Sequence, residues 1–154
     1  MILIIRISGL VDVSETVNET LFRMRLRRKY SATVIKDTEE NRKILAHIRN
    51  YVAYGNITKE ELLILVEKRG LPVDKKKKID AKKFVEDFAK HTFAGSNVKP
   101  FFRLHPPRGG IDSKLHIGVK KGVLGDHKDK INILLKRMLW ASKKEESLEE
   151  DMHI

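Results

Sequence analysis

Cysteine is absent from the 154 residues. That excludes a disulfide framework, a thiol nucleophile and any zinc site built on thiolates. Glutamine is absent too, while lysine and glutamate abound, a bias shared with chains that work at high temperature. No stretch approaches the roughly 18 apolar residues needed to span a bilayer. The opening MILIIRIS is apolar but short and interrupted by Arg6. It has no basic leader and no small-residue cleavage site, so it reads as a buried strand, and a soluble cytoplasmic protein is expected. Negative charge is in short supply: 21 Asp+Glu face 32 Lys+Arg, a net charge of +11. The final segment 139–154 holds two lysines against five carboxylates, so residues 1–138 carry +14. A field of that size attracts polyanions.

Catalytic chemistry finds little to work with. The six histidines are His47, His91, His105, His116, His127 and His153, with no close ligand pair among them. His105 and His116 are the one pair expected to meet across a loop, and Asp112 stands alone near them. Most carboxylates sit where helix starts and solvated helix faces explain them. No phosphate-loop or dinucleotide-binding glycine pattern occurs. No metal, no cofactor and no small-molecule substrate is expected, and the protein is not expected to be an enzyme.

The apolar pattern gives an α+β chain. Ile2 to Ile7 is a β-branched run closed by Ser8-Gly9. Ser14 caps a helix with Val17, Leu21 and Met24 on one face. A second strand covers Ala32 to Ile35. Asp37 and Glu40 form a capping-box pattern, and Ile44, Leu45 and Ile48 line the next helix. Tyr51 to Tyr54 is a third strand, ended by Gly55. This β-α-β-α-β order favours a small sheet with two helices on one face, in the ferredoxin-like manner. We assign residues 1–57 to that core and 58–138 to an appended helical and αβ part with basic loops. Residues 139–154 are expected to be a disordered acidic tail. Within the appended part, Thr58 and Glu61 open a helix that stops at Gly70. Asp80 caps a helix with Ala81, Phe84, Val85 and Phe88 inward. Residues 94–114 read as loop, Leu115 to Val119 as a strand, and Asp126 as the start of a last helix through Ile131, Leu134, Leu135 and Met138.

The cations are clustered. Arg23, Arg25, Arg27, Arg28 and Lys29 crowd the end of the first helix and are followed by Tyr30. Favourable charge at a helix C-terminus accounts for two or three of them, not five. Arginine forks onto phosphate oxygens, and tyrosine can stack on a base. Lys68 and Arg69 precede the run Lys75, Lys76, Lys77 and Lys78, which reads equally as a flexible phosphate-neutralising arm or as a solvated loop. In FRLHPPRGGI, Pro106 and Pro107 set the chain's path, while Gly109 and Gly110 admit a phosphate to the backbone. Arg103, His105, Arg108, Lys114 and His116 flank it, and Lys120 and Lys121 add a basic turn at 120–122. The same stretch also serves as a core-stitching loop through Phe101, Phe102 and Leu104. Charge scattered over several loops suits a folded RNA surface better than one duplex groove. A free-standing DNA-compacting protein and an RNA-acting enzyme built on His105 and His116 are the alternatives.

At these same residues the chain resembles a known family, the large-subunit ribosomal protein numbered thirty in bacteria and archaea and seven in eukaryotes. LRRKY followed by TVIKDTEENRKIL resembles the short bacterial form. NYVAYGNITKEELLILVEKRG, PPRGG and INILLKRML resemble the longer archaeal and eukaryotic form, and the length resembles the archaeal branch. The resemblance covers about 1–140. It implies a compact core with strand order 3-1-2, a second αβ part, and non-catalytic rRNA binding within the large subunit beside neighbouring ribosomal proteins. It also implies that Arg25, Arg27, Arg28, Lys29 and Tyr30 face rRNA, with the PPRGG loop as a second contact. The acidic tail matches nothing in that pattern.

Overall fold

The computed structural model describes residues 1–9, 11, 13–91, 93, 96–106, 113–116 (backbone) and 122–139. The chain runs β1 (Ile2–Arg6), α1 (Glu15–Arg23), β2 (Ser31–Ile35), α2 (Glu39–Ile48) and β3 (Val52–Asn56). It continues through α3 (Lys59–Arg69), α4 (Ala81–His91), β4 (Phe102–Arg103), β5 (Ser113–His116), β6 (Gly122–Asp126), a 3-10 turn at Lys128–Lys130 and α5 (Ile131–Leu139). The strands form one six-stranded sheet in the order β4-β2-β1-β3-β6-β5.

The expected 3-1-2 arrangement lies at its centre, with β1 antiparallel to both β2 and β3. The later segment then adds strands to both edges. β4 pairs antiparallel with β2, and β6 pairs parallel with β3, so the sheet is larger and mixed.

Alternation along β1 explains why every residue of it is buried. Ile2 and Ile4 face α1 and α2, packing with Val17, Leu21, Leu45 and Ile48. Leu3 and Ile5 face the opposite way, into a larger cluster with Leu62, Leu65, Phe84, Phe88, Ile131 and Leu135. The sheet is thus covered on both faces: two helices on one side, as the sequence predicts, and α3, α4 and α5 on the other. Each large side chain fully buried in this way is worth roughly 1.5–3 kcal/mol.

The helix starts follow the caps. The Ser14, Thr58 and Asp80 side chains accept from the N–H groups of Val17, Glu61 and Lys83. At α2 the expected cap is displaced by one residue. Thr38 accepts from Asn41 N–H, and Asp37 instead holds Arg42 in a two-pronged ion pair. Ile44, expected inside, is exposed, and Leu45 and Ile48 alone carry that helix's buried face.

Three further expectations are corrected. β3 runs through Gly55 to Asn56 rather than ending at the glycine. The span 94–114 is not all loop, because Phe102 and Arg103 pair with Ala32 and Ser31. Asp126 does not open the last helix: it ends β6, a strand whose GVLGD composition hides it beside two glycines, and α5 starts at Ile131.

Candidate nucleic-acid interface

One end of the sheet gathers the basic residues, and a buried arginine organises it. Arg6, at the end of β1, is fully inaccessible to solvent. Its guanidinium donates to the carbonyls of Leu26 (2.7 Å), Ser8 (2.9 Å) and Gly9 (3.1 Å). Burial lowers its pKa below the ordinary guanidinium value. The Arg6 carbonyl in turn accepts from Tyr30 N–H at 2.7 Å. One residue therefore grips both ends of the segment from Leu26 to Tyr30. Sequence reasoning saw Arg6 only as an interruption of an apolar strand. Its place on the otherwise buried parity of β1 was the available signal.

α1 ends in a tight reversal. Leu26 N–H donates to Leu21 carbonyl at 2.9 Å and Arg25 N–H to Phe22 carbonyl at 3.1 Å, the paired bonds of a Schellman turn. Leu26 and Leu21 pack in the same cluster, supplying its apolar contact. The turn needs a left-handed residue after the C-cap, where glycine is usual, yet Arg25 stands there with φ 66°. Tyr30 closes the segment with φ 65°. Such backbone costs a side-chain-bearing residue roughly 1–2 kcal/mol. Strain of this kind persists where the side chain serves another purpose. We expect Arg25→Gly to raise unfolding stability by about 0.5–1 kcal/mol while weakening polyanion binding. Chemical denaturation and a binding titration on the same variant check the opposite signs.

Sheet pairing then joins the two basic stretches that the sequence holds some 70 residues apart. Ser31 pairs with Arg103, and Leu104 N–H donates to Tyr30 carbonyl at 3.1 Å. Arg25, Arg27, Arg28 and Lys29 are exposed on one stretch, Arg103 and His105 on the other. Leu26 is buried in the cluster under α1 and α2, and Phe102 and Leu104 in the larger cluster on the other face, so each stretch is anchored by its own apolar residues. Arg49, the C-cap of α2, is exposed at this same end, three residues before Val52, which pairs with Arg6. Sequence reasoning missed it because a single arginine after a helix looks like an ordinary cap. Arg23, by contrast, is engaged by Glu19 one turn back, at 2.7 Å.

The remaining predicted residues divide. Lys75 to Lys78 are exposed, on a turn tied by hydrogen bonds to Asp74 and Asn97. Asn97 accepts from Asp74 N–H and donates to the carbonyls of Asp74 and Lys77. The chain leading from Asn97 continues directly to β4. Lys68 and Arg69 close α3. Lys114 and His116 are in β5, at the sheet edge opposite β4. Five inter-strand steps separate those edges, about 24 Å, so these two residues do not stand beside Arg103. The expected His105–His116 pairing fails for the same reason. Arg108, Gly109, Gly110, Lys120, Lys121 and residues 140–154 of the acidic tail lie outside the described residues; Leu139, expected to begin that tail, is buried and ends α5.

Among the described residues no group of three His, Asp or Glu side chains is placed to hold a metal ion, and no helix is long and apolar enough to cross a membrane.

The fold and this end of the sheet define a small α+β protein with a cationic surface built on paired strands. The Ribosomal protein L30p/L7e family matches it over residues 2–52. The chain is 38% identical over 153 residues to the large ribosomal subunit protein uL30 of Archaeoglobus fulgidus, covering 90% of this chain and 99% of that one. It is 37% identical over 153 residues to the protein of the same name from Methanococcus maripaludis, with 88% and 97% covered. The Aeropyrum pernix protein is 35% identical over 154 residues, with the same coverage. The chain belongs to the L30p/L7e family of ribosomal proteins, in its archaeal form, and is not an enzyme.

Proposed function

We propose that this protein is a structural constituent of the large ribosomal subunit and binds rRNA through the basic end of its sheet. Its working location is then the ribosome, in the cytoplasm. The observation that carries the reading is the junction of Tyr30 and Ser31 with Leu104 and Arg103, which turns two basic segments into one preorganised surface. The names of the relatives point to the same assembly.

The mechanism is phosphate neutralisation on a stiff frame. Arg25, Arg27, Arg28, Lys29 and Arg103 donate to phosphate oxygens, and the scaffold has already met the cost of ordering their backbone. Each neutralised phosphate releases counterions, so affinity falls steeply with salt. Among the described residues these exposed cations stand on a turn and a short strand rather than along one helix, which favours an irregular RNA surface over duplex DNA. The lysine turn at 75–78, with Lys68 and Arg69, is a second contact region in this reading. The PPRGG loop, which continues from Pro106, is a third. Neighbouring ribosomal proteins are the remaining partners.

Arg27→Ala combined with Arg28→Ala is the test. Both side chains are exposed, so unfolding stability should change by no more than about 0.5 kcal/mol. Binding to a large-subunit rRNA fragment should weaken about tenfold, and the slope of log affinity against log salt should shrink by about one to two. Unchanged affinity and slope would overturn the reading. Equal affinity of the parent protein for duplex DNA and for structured rRNA would favour the DNA-compacting alternative.

A further inference from the structure

Neutralising phosphates requires cations only, yet this surface also carries aromatic rings that the mechanism above leaves unused. Phe22 is 43% exposed, stands on the last turn of α1 and belongs to neither apolar cluster. The guanidinium of Arg27 lies over its ring, 5.7 Å from the centroid. Phe101 is half-buried, with the guanidinium of Arg103 at 5.8 Å. Tyr30 is half-buried against the larger core, with the Lys29 ammonium at 5.0 Å. Such pairs occur roughly once per 70–80 residues, so their number is ordinary for a chain of this length. Their location is not: all three found among the described residues fall within 22–30 and 101–103, the two segments that the β2–β4 pairing joins.

We propose that this surface takes RNA at an unpaired nucleotide, in a bulge or internal loop, and that an unstacked base lies on the Phe22–Arg27 pair. The proposal rests on the rRNA-binding reading and narrows it. A base inside a continuous duplex already has both faces covered by its neighbours and offers nothing to a protein ring. An extruded base has a free face, and both an aromatic ring and a flat guanidinium can stack on it. The Schellman turn makes the arrangement possible. It reverses the chain after Phe22 so that Arg27, five residues later, returns over the ring. A free phenylalanine at this place gains nothing from solvent, whereas a ring with a cation already above it is a preformed platform. The left-handed conformation at Arg25 is what sets that return path.

The test uses the full 154-residue chain and two RNA hairpins of equal length and charge. One has a continuous stem; the other carries a two-adenine bulge with 2-aminopurine replacing one adenine. The bulged hairpin should bind about tenfold more tightly, the effect of one stacked base. That ratio should hold as salt rises, because stacking releases no counterions, and the 2-aminopurine fluorescence should be quenched on binding. Phe22→Leu should bring the ratio down to about two and relieve the quenching. Phe101→Leu provides a second variant for the neighbouring ring. Equal binding of both hairpins, steeply salt-dependent and weakened by the Arg27→Ala, Arg28→Ala pair, would leave the rRNA reading standing and overturn this proposal. A bulge preference untouched by Phe22→Leu and Phe101→Leu would also overturn it. Binding of neither hairpin would sink both.

Discussion

Replacing Arg6 with methionine is expected to cost about 3 kcal/mol of unfolding free energy and to weaken rRNA binding as well, although Arg6 itself never meets solvent. Methionine keeps much of the apolar stem and removes the donors. The carbonyls of Ser8, Gly9 and Leu26 then lose their partner. A buried carbonyl left unpaired costs about 1–3 kcal/mol, so the cheaper outcome is for the chain around it to open to water. That chain carries Arg25, Arg27, Arg28 and Lys29, and its opening dissolves the preorganisation on which the proposed rRNA binding depends. Out of a typical total of roughly 5–15 kcal/mol, the loss is large. Guanidinium denaturation measures it, and faster amide hydrogen exchange at Leu26 and Tyr30 locates it. Arg6→Lys should recover only part, since an ammonium cannot reach three carbonyls with a planar fork. Unchanged exchange at those two amides in Arg6→Met would show that the segment is held by something else.

Gly55→Ala should be comparably damaging for the opposite reason, an added atom rather than a removed donor. A methyl group built on Gly55 would lie 2.3 Å from the Lys128 carbonyl and 2.8 Å from Ile131 Cβ. The first is backbone of the 3-10 turn and the second is the start of α5, so neither can swing aside. α5 must back away from the sheet, and with it Ile131, Leu134, Leu135 and Met138, all of them buried. Overpacking of a well-filled core costs about 1–3 kcal/mol, and more where backbone must move; we expect about 3 kcal/mol. His105 N–H donates to the Met138 carbonyl at 3.1 Å, so a displaced α5 should also disturb the chain just beyond β4. Gly9→Ala is the control, with no atom within 4 Å of the added methyl and an expected change under about 0.5 kcal/mol. Equal melting of the two variants would mean that α5 is free to shift at little cost.

Both effects bear on what a one-dimensional reading can reach. The helices were legible because apolar residues recur at intervals of three and four, and α1, α3 and α4 also open on the side-chain oxygen the sequence offers as a cap. Val17 with Leu21, Leu62 with Leu65, Phe84 with Phe88, and Ile131 with Leu134 and Leu135 are all buried as that spacing requires. β1 was legible from its β-branched run. β4 and β6 were not. A two-residue strand has no period, and β6 is a strand by virtue of pairing with β3. The same limit applies to the candidate site. Arg27, Arg28 and Lys29 stand out as a charge cluster, and Arg103 as part of a proline- and glycine-rich loop. Nothing in the order of residues says that the two clusters are neighbours, or that Lys114 and His116 are not.

The sequence by itself determined the apolar faces of the helices, the β-branched first strand and the excess of positive charge, because helix period, strand composition and net charge are local or additive properties. Only the tertiary structure decided that Tyr30 and Leu104 are hydrogen-bonded, that Arg6 grips the basic turn from inside and that β5 lies at the far edge. Strand pairing and burial link residues distant along the chain, and their free energy exists only once both partners are in place.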